Sequence, residues 1–202
     1  MKPAHLLTAV LISAGGAQVA GAATTNLRPY ELQPSDVGGA RPTYDRPQVG
    51  IPTIFRAAAT RRFAAARAGE GNFRLSQDVY LATSPVAANA VYGQLLRVEL
   101  PKTLRSIAAS TKLTRAVQKP WKVSLKGQSA GRVIDGTTTE SRTGLPKGSR
   151  VRFYVVAIRV GSALTVVTAL PNKGFDLAGE AGLQTILARA AARVTPLGAK
   201  RS

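Results

Sequence analysis

The chain has 202 residues, with 28 Lys and Arg against 10 Asp and Glu, a formal net charge of +18, no cysteine and a single histidine. These counts exclude disulfide bracing, thiolate nucleophiles and thiolate metal ligands, and they leave His5 as the one imidazole open to hydrolytic or metal chemistry. The length suffices for one self-supporting core plus a tail.

Met1, Lys2 and His5 make a short positive start, Leu6 to Ile12 an apolar run, and Ala20-Gly21-Ala22 a small-residue cleavage pattern. This is the layout of a secretory signal peptide over residues 1–22, cut after Ala22. The apolar run is about half of the ~20 residues that a membrane span needs, so no transmembrane segment is expected in the mature chain. Cleavage removes Lys2 and His5, leaving 27 basic and 10 acidic residues, a net +17, and no His or Cys at all. The expected location is exported, periplasmic or extracellular and associated with the cell envelope. There the abundant polyanions are lipid head groups, acidic polymers and extracellular DNA. The plainer explanation for part of the charge is a GC-rich genome, which favours Ala, Arg, Gly and Pro codons, since 19 of the basic residues are Arg.

Residues 23–53 read as a flexible linker, with Pro29, Pro34, Pro42, Pro47 and Pro52 spaced among Gly38 and Gly39 and no period of 2 or 3.6. Residues 54–68 are rich in Ala and Arg, and Phe55, Ala59, Phe63 and Ala66 fall on one helical stripe. That predicts a basic helix with its connector over 54–72, either docked on the main domain or lying on an anionic membrane surface. The main domain is expected over 73–196, followed by a tail at 197–202. Its predicted elements are strands at 73–81 and 91–100, then a helix from Thr103 to about Gln118 with a break near Ser110.

Trp121, Val123 and Leu125 alternate with Lys122, Ser124 and Lys126, the pattern of a strand with one wet face. A strand at about 130–141, a loop at 144–148 and strands at 150–160 and 163–170 follow. Gly161-Ser162 suits a type II′ hairpin turn. The closing helix, 177–194 with Asp176 as cap, carries Leu183, Ile186, Leu187, Ala190 and Val194 on one stripe. The fold class expected is therefore α+β, an antiparallel sheet packed by helices, behind a signal peptide and a disordered linker.

The acidic residues are scattered, with no Asp-x-Asp-x-Asp loop, no Gly-x-x-x-x-Gly-Lys and no Gly-x-Gly-x-x-Gly. No catalytic residue, metal site or cofactor is expected. Paired carboxylates are the one remaining catalytic device. Asp135, Glu140 and Glu99 are the candidates, against the plainer reading that they are surface or cap residues. The basic side has more order. Lys122 and Lys126 share one strand face, Arg150 and Arg152 another with Tyr154 next in line, and Arg132, Arg142 and Lys147 lie in or near the connecting hairpins. If those strands are neighbours, these eight residues form a cationic sheet face with one aromatic, an anion-binding site. The segment from Lys147 to Tyr154 overlaps the start of an RNA-recognition signature, but Ser149 and Val151 stand where stacking aromatics belong. No specific nucleic acid partner is expected.

The order strand, helix, hairpin, then an apolar hairpin ending in Leu164-Thr165-Val166-Val167-Thr168-Ala169-Leu170-Pro171, Phe175-Asp176 and a closing helix resembles the PsbP/Mog1/DcrB-like α/β/α sandwich group over residues 91–194. The resemblance implies an antiparallel sheet flanked by helices that acts as a binding or assembly module, and it carries over no site residue. The function expected is an exported, non-enzymatic binding module whose partner is an envelope polyanion, an anionic lipid surface or an envelope protein. The alternatives are a protein-interaction or structural domain with incidental charge, and a carboxylate-dependent hydrolase.

Overall fold

Residues 150–170 form the longest apolar β-pattern in the chain, and they fold as two central strands of a single antiparallel sheet. The computed structural model describes residues 25–64, 74–125, 127–141, 146–170 and 179–199. Its strands are β1 (Arg41–Pro47), β2 (Phe55–Ala64), β3 (Arg74–Ala82), β4 (Leu113–Trp121), β5 (Gln128–Thr138), β6 (Arg150–Val160) and β7 (Ala163–Leu170), and its helices are α1 (Pro85–Gln94), α2 (Leu100–Ser110) and α3 (Gly179–Ala199). The strand order is β1-β2-β3-β7-β6-β5-β4, so among the described residues β1 and β4 are the two edges. The expected signal peptide lies outside the described residues.

Alternation along β6 divides the core. Val151, Phe153, Val155 and Ala157 face α1 and α2, meeting Val91, Leu95, Leu100 and Leu104. Tyr154, Val156 and Ile158 face the other way, toward Leu183, Ile186, Leu187 and Ala190 of α3. The stripe read for the last helix is buried throughout, including Val194. Every residue of β7 but Thr168 is buried, as its apolar character on both faces requires of a central strand.

The expected α+β architecture is corrected by this arrangement: one seven-stranded sheet dominates, and three segments read as linker or helix supply strands to it. Residues 55–64 are β2, not a helix, and pair with β1 and β3 along their length. Ala and Arg raise helix propensity, but between two strands small side chains fit both faces and tertiary pairing overrides propensity. The expected linker is ordered over 25–53. Short 3-10 turns at Arg28–Tyr30 and Pro34–Val37 lay Leu32 and Val37 against the α3 side of the sheet, and Pro42 and Pro47 stand on β1, an edge where proline removes no needed ladder bond.

Residues 91–100, expected as a strand, belong to α1, a π-helical turn at Leu95–Glu99 and the start of α2. The spacing of buried Ala88, Val91, Tyr92 and Leu95 is helical, and the π turn precedes Pro101, whose ring cannot enter a regular i−4 ladder. The helix expected to reach Gln118 ends at Ser110, and Leu113–Trp121 pairs with β5 as β4. Of the expected strand at 121–126, Lys126 lies outside the described residues, and among 121–125 only Trp121 is in a strand. The alternation survives, with Val123 and Leu125 packed toward α3, but the segment's backbone partner is the Gln184 side chain, which accepts from the Ser124 amide at 3.0 Å and donates to the Lys122 carbonyl at 2.9 Å.

Gly161 turns β6 into β7 with φ 56°, the positive value expected of it. Its backbone also meets the end of α3, because a Cβ on Gly161 would lie 2.5 Å from the Gly198 carbonyl oxygen, and one on Gly198 would overlap the Val160 carbonyl. Gly198→Ala is therefore expected to lever the helix end off the hairpin at a cost of about 1–3 kcal/mol. Chemical denaturation checks this; an unchanged midpoint would rule out the close approach.

Candidate functional site: a basic sheet edge and a buried charge cluster

The sheet separates the residues expected to form one cationic face. Asp135 on β5 stands directly across from Arg152 on β6. The guanidinium takes the carboxylate in a fork, Nε to Oδ1 and Nη2 to Oδ2 at 3.1 Å, while Nη1 donates to Glu180 Oε1 at 2.9 Å. Lys119 adds a bridge to Asp135 Oδ2 at 2.8 Å. Two cations and two carboxylates thus cancel. Hydrogen bonding from Arg152 holds the Asp135 carboxyl below its usual range, and the Trp121 indole, Tyr154 and Arg152 do the same for Glu180. Tyr154 is buried, edge-on to Trp121 at 4.8 Å, and its hydroxyl donates to Glu180 Oε1 at 3.1 Å. Burial lifts its pKa to about 12. A carboxylate clamped this way is a poor acid or base, which weighs against Asp135 as half of a hydrolytic pair.

The other expected residues scatter. Arg132 stands opposite Val155 and Pro120, on the α1 and α2 side, whereas Arg150 and Arg152 share the α3 side with Tyr154. Arg150, Lys147 and Lys122 are exposed; Lys126 and Arg142 lie outside the described residues. Among the described ones, Arg132 does not share a face with Arg150, Arg152 and Tyr154.

What the fold assembles instead is a basic edge. Between Glu99 and Asp135 the sequence holds no acidic residue and eight basic ones: Lys102, Arg105, Lys112, Arg115, Lys119, Lys122, Lys126 and Arg132. This run builds α2, the edge strand β4 and the entry to β5. Lys102, Arg105, Lys112, Arg115 and Lys122 are exposed, and among the described residues only Lys119 of the run meets a carboxylate. Lys112 and Arg115 hold the left-handed region at φ 54° and 52°, and the ladder shifts register between Thr114 and Val117. Positive φ in a non-glycine residue is unfavourable locally, and a bulge on an edge strand re-aims side chains toward solvent. The sequence signal for this edge is the missing acidic residue over the run, a property of the segment and not of any one motif.

A second charged cluster sits at the opposite edge, and sequence reasoning missed it. Arg61 of β2 and Glu31 are 2% and 1% exposed. Arg61 donates to the Leu32 carbonyl at 2.8 Å and to Asp45 Oδ2, and its Nε lies 3.7 Å from Glu31 Oε2. Glu31 Oε1 and Arg61 Nε have no hydrogen-bond partner among the described residues. Burial, with the Asp45 charge second, raises the Glu31 pKa to about 7 against the favourable pull of Arg61. Across the sheet, buried Asp78 accepts from Thr60 Oγ1 at 2.5 Å and from Gln48 Nε2 at 3.4 Å, and burial raises its pKa to about 6. No short motif marks these residues, because each partner comes from a different element.

No family model matches the chain, and no curated protein does. A solved structure is similar: the extracellular domain of PknH from Mycobacterium tuberculosis, at TM-score 0.51 and 10% identity, aligned over 90% of this chain and 100% of that one. The two share a fold. Among the described residues no helix is long and apolar enough to cross a membrane.

Proposed function

We propose that this protein is an exported, non-enzymatic binding domain that engages an anionic envelope partner, a polyanion or an anionic lipid surface, along the edge made by α2 and β4. The observation that carries the reading is the acid-free run from Pro101 to Ile134, which builds the edge of the described sheet with Lys102, Arg105, Lys112, Arg115 and Lys122 open to solvent. Uncompensated charge of one sign on an exposed edge raises the local concentration of polyanions and speeds encounter. The Pro120 ring, Lys119 and the bulge protect β4 against pairing with another strand, so recognition by side chains fits this edge better than strand addition does. The signal-peptide pattern read in residues 1–22 and the similarity to an extracellular domain support the exported setting.

Heparin and phosphatidylserine vesicles are the probes. Retention is expected at low salt and loss at high salt, since exposed charges are screened. Each cation near an anionic surface contributes about 1 kcal/mol, so reversing Lys102, Arg105, Lys112 and Arg115 to Glu is expected to weaken binding by at least about 1000-fold. Arg150→Glu, on the other side, is expected to leave it within a few fold. Binding that ignores salt, or that survives the fourfold reversal, would overturn the reading.

A further inference from the structure

Where the C-terminal half of α3 runs beside the N-terminal segment, the two leave a cleft of about 330 Å³ between them. The helix supplies Arg189, Ala192, Arg193 and Pro196, spaced three and four residues apart and so on one face. The two 3-10 turns supply Pro29, Tyr30 and Asp36. The volume is at the small end of ligand-binding sites, and an apolar lining with a few fixed polar groups is their usual make-up.

Both guanidinium groups are anchored on Asp36. Arg189 Nη1 donates to the Asp36 carbonyl at 2.7 Å, and Arg193 Nε to Asp36 Oδ2 at 3.0 Å, an oxygen that also accepts from the Gln33 amide at 2.8 Å. A guanidinium carries five N–H donors, so these bonds leave most of each fork unused. Neither group is sealed off: Arg189 is exposed, and the Arg193 side chain keeps 35% of its surface open. The anchoring bonds hold the two stems before a ligand arrives, which lowers the ordering cost of binding one.

Charge and lining together select the ligand. Two cations converge on one aspartate, and among the described residues no second carboxylate pairs with either. One positive charge is left over. An ammonium group adds to it, a phosphate monoester brings about one negative charge too many, and a carboxylate matches it and fits the arginine fork with two parallel bonds. The remaining walls are the rings of Pro29, Tyr30 and Pro196 and the Ala192 methyl, which a bare ion leaves uncovered.

We infer that this cleft binds a small organic monocarboxylate, its carboxylate on Arg189 and Arg193 and its apolar body against Tyr30 and the two prolines. None of these residues belongs to the α2–β4 edge, so the inference does not rest on the anionic partner proposed above.

Titration of the isotopically labelled protein at constant ionic strength, followed by amide chemical shifts, tests this with benzoate, acetate, benzamide and inorganic phosphate. Benzoate is expected to give saturable shifts at amides within 29–37 and 189–199. Acetate lacks the body and benzamide the charge, and each is expected to bind at least about tenfold more weakly. Arg189→Gln, at an exposed position, is expected to weaken benzoate by about tenfold or more with an unchanged melting temperature. Reversal of Lys102, Arg105, Lys112 and Arg115 is expected to leave benzoate binding as it is, which separates this site from general attraction to the basic edge. No saturation by benzoate up to its solubility, or undiminished binding in Arg189→Gln, would overturn the assignment. Benzamide or acetate binding as tightly as benzoate would overturn the ligand class, and so would phosphate binding more tightly at the same amides. The wild-type titrations decide the matter even without the variants.

Discussion

Arg61→Ala is expected to cost about 3–5 kcal/mol of folding stability, the range for removing one partner of a buried ion pair. Arg61 is 2% exposed and stands across the ladder from Asp45 on one side and Gln77 on the other. Its removal leaves the Leu32 carbonyl without its donor and leaves Glu31 and Asp45 with only the exposed Arg28, 3.5 Å from Asp45, as a cation. The damage extends along a chain of hydrogen bonds, because the Leu32 amide donates to Gln77 Oε1 at 2.6 Å and Gln77 Nε2 to Thr165 Oγ1 at 3.1 Å. The N-terminal segment, β2, β3 and β7 therefore share one polar tie. In a domain of this size the loss is on the order of 10 °C in melting temperature. Replacing both partners, Arg61→Met with Glu31→Leu, is expected to recover most of it, since the desolvation cost leaves with the charges. A single-variant cost under about 1 kcal/mol would show that the cluster contributes little.

Stability is expected to fall as pH rises from about 4 to 8, the reverse of ordinary acid denaturation. Glu31 moves from its usual 4.5 to about 7 on folding, and Asp78 from 3.8 to about 6, in both cases chiefly because burial disfavours the charged form. The native state then holds two protons that the unfolded chain releases at lower pH. That stabilisation is complete below the usual carboxyl values and is lost as pH climbs through 6 and 7. Each group contributes on the order of 2–3 kcal/mol. Asp135 and Glu180 act in the opposite sense, since their depressed values withdraw stability only as pH falls below about 4. The maximum is therefore expected near pH 4–5. Urea midpoints at pH 5 and pH 8 measure the difference, and Asp78→Asn, which keeps an acceptor for Thr60, is expected to shrink it by about half. A midpoint that rises steadily to pH 8 would exclude buried neutral carboxyls.

How much of this was legible in the sequence follows from the range of the forces involved. β6, β7 and α3 could be read directly, because their apolar runs and stripe are answered by a nearby core whatever the rest of the chain does. β2 could not. Its Ala and Arg residues favour a helix in isolation, and only β1 and β3 on either side make it a strand. β4 is mostly exposed and holds its place by ladder bonds to β5, which leave no hydrophobic signature.

The same division runs through the candidate sites. The cationic excess, the absence of Cys and the acid-free run from 101 to 134 are properties of composition and order, fixed before folding begins. Which cations stay free is not. Arg152 is spent on Asp135 and Glu180, residues 17 and 28 positions away, while Lys102, Arg105, Lys112 and Arg115 meet no carboxylate among the described residues. Arg61 and Glu31 are buried together only because a proline-rich segment folds back on β2. Charge along a chain is additive and local, so sequence determines how much there is. Its neutralisation and its desolvation depend on contacts between distant residues, and those the tertiary structure alone decides.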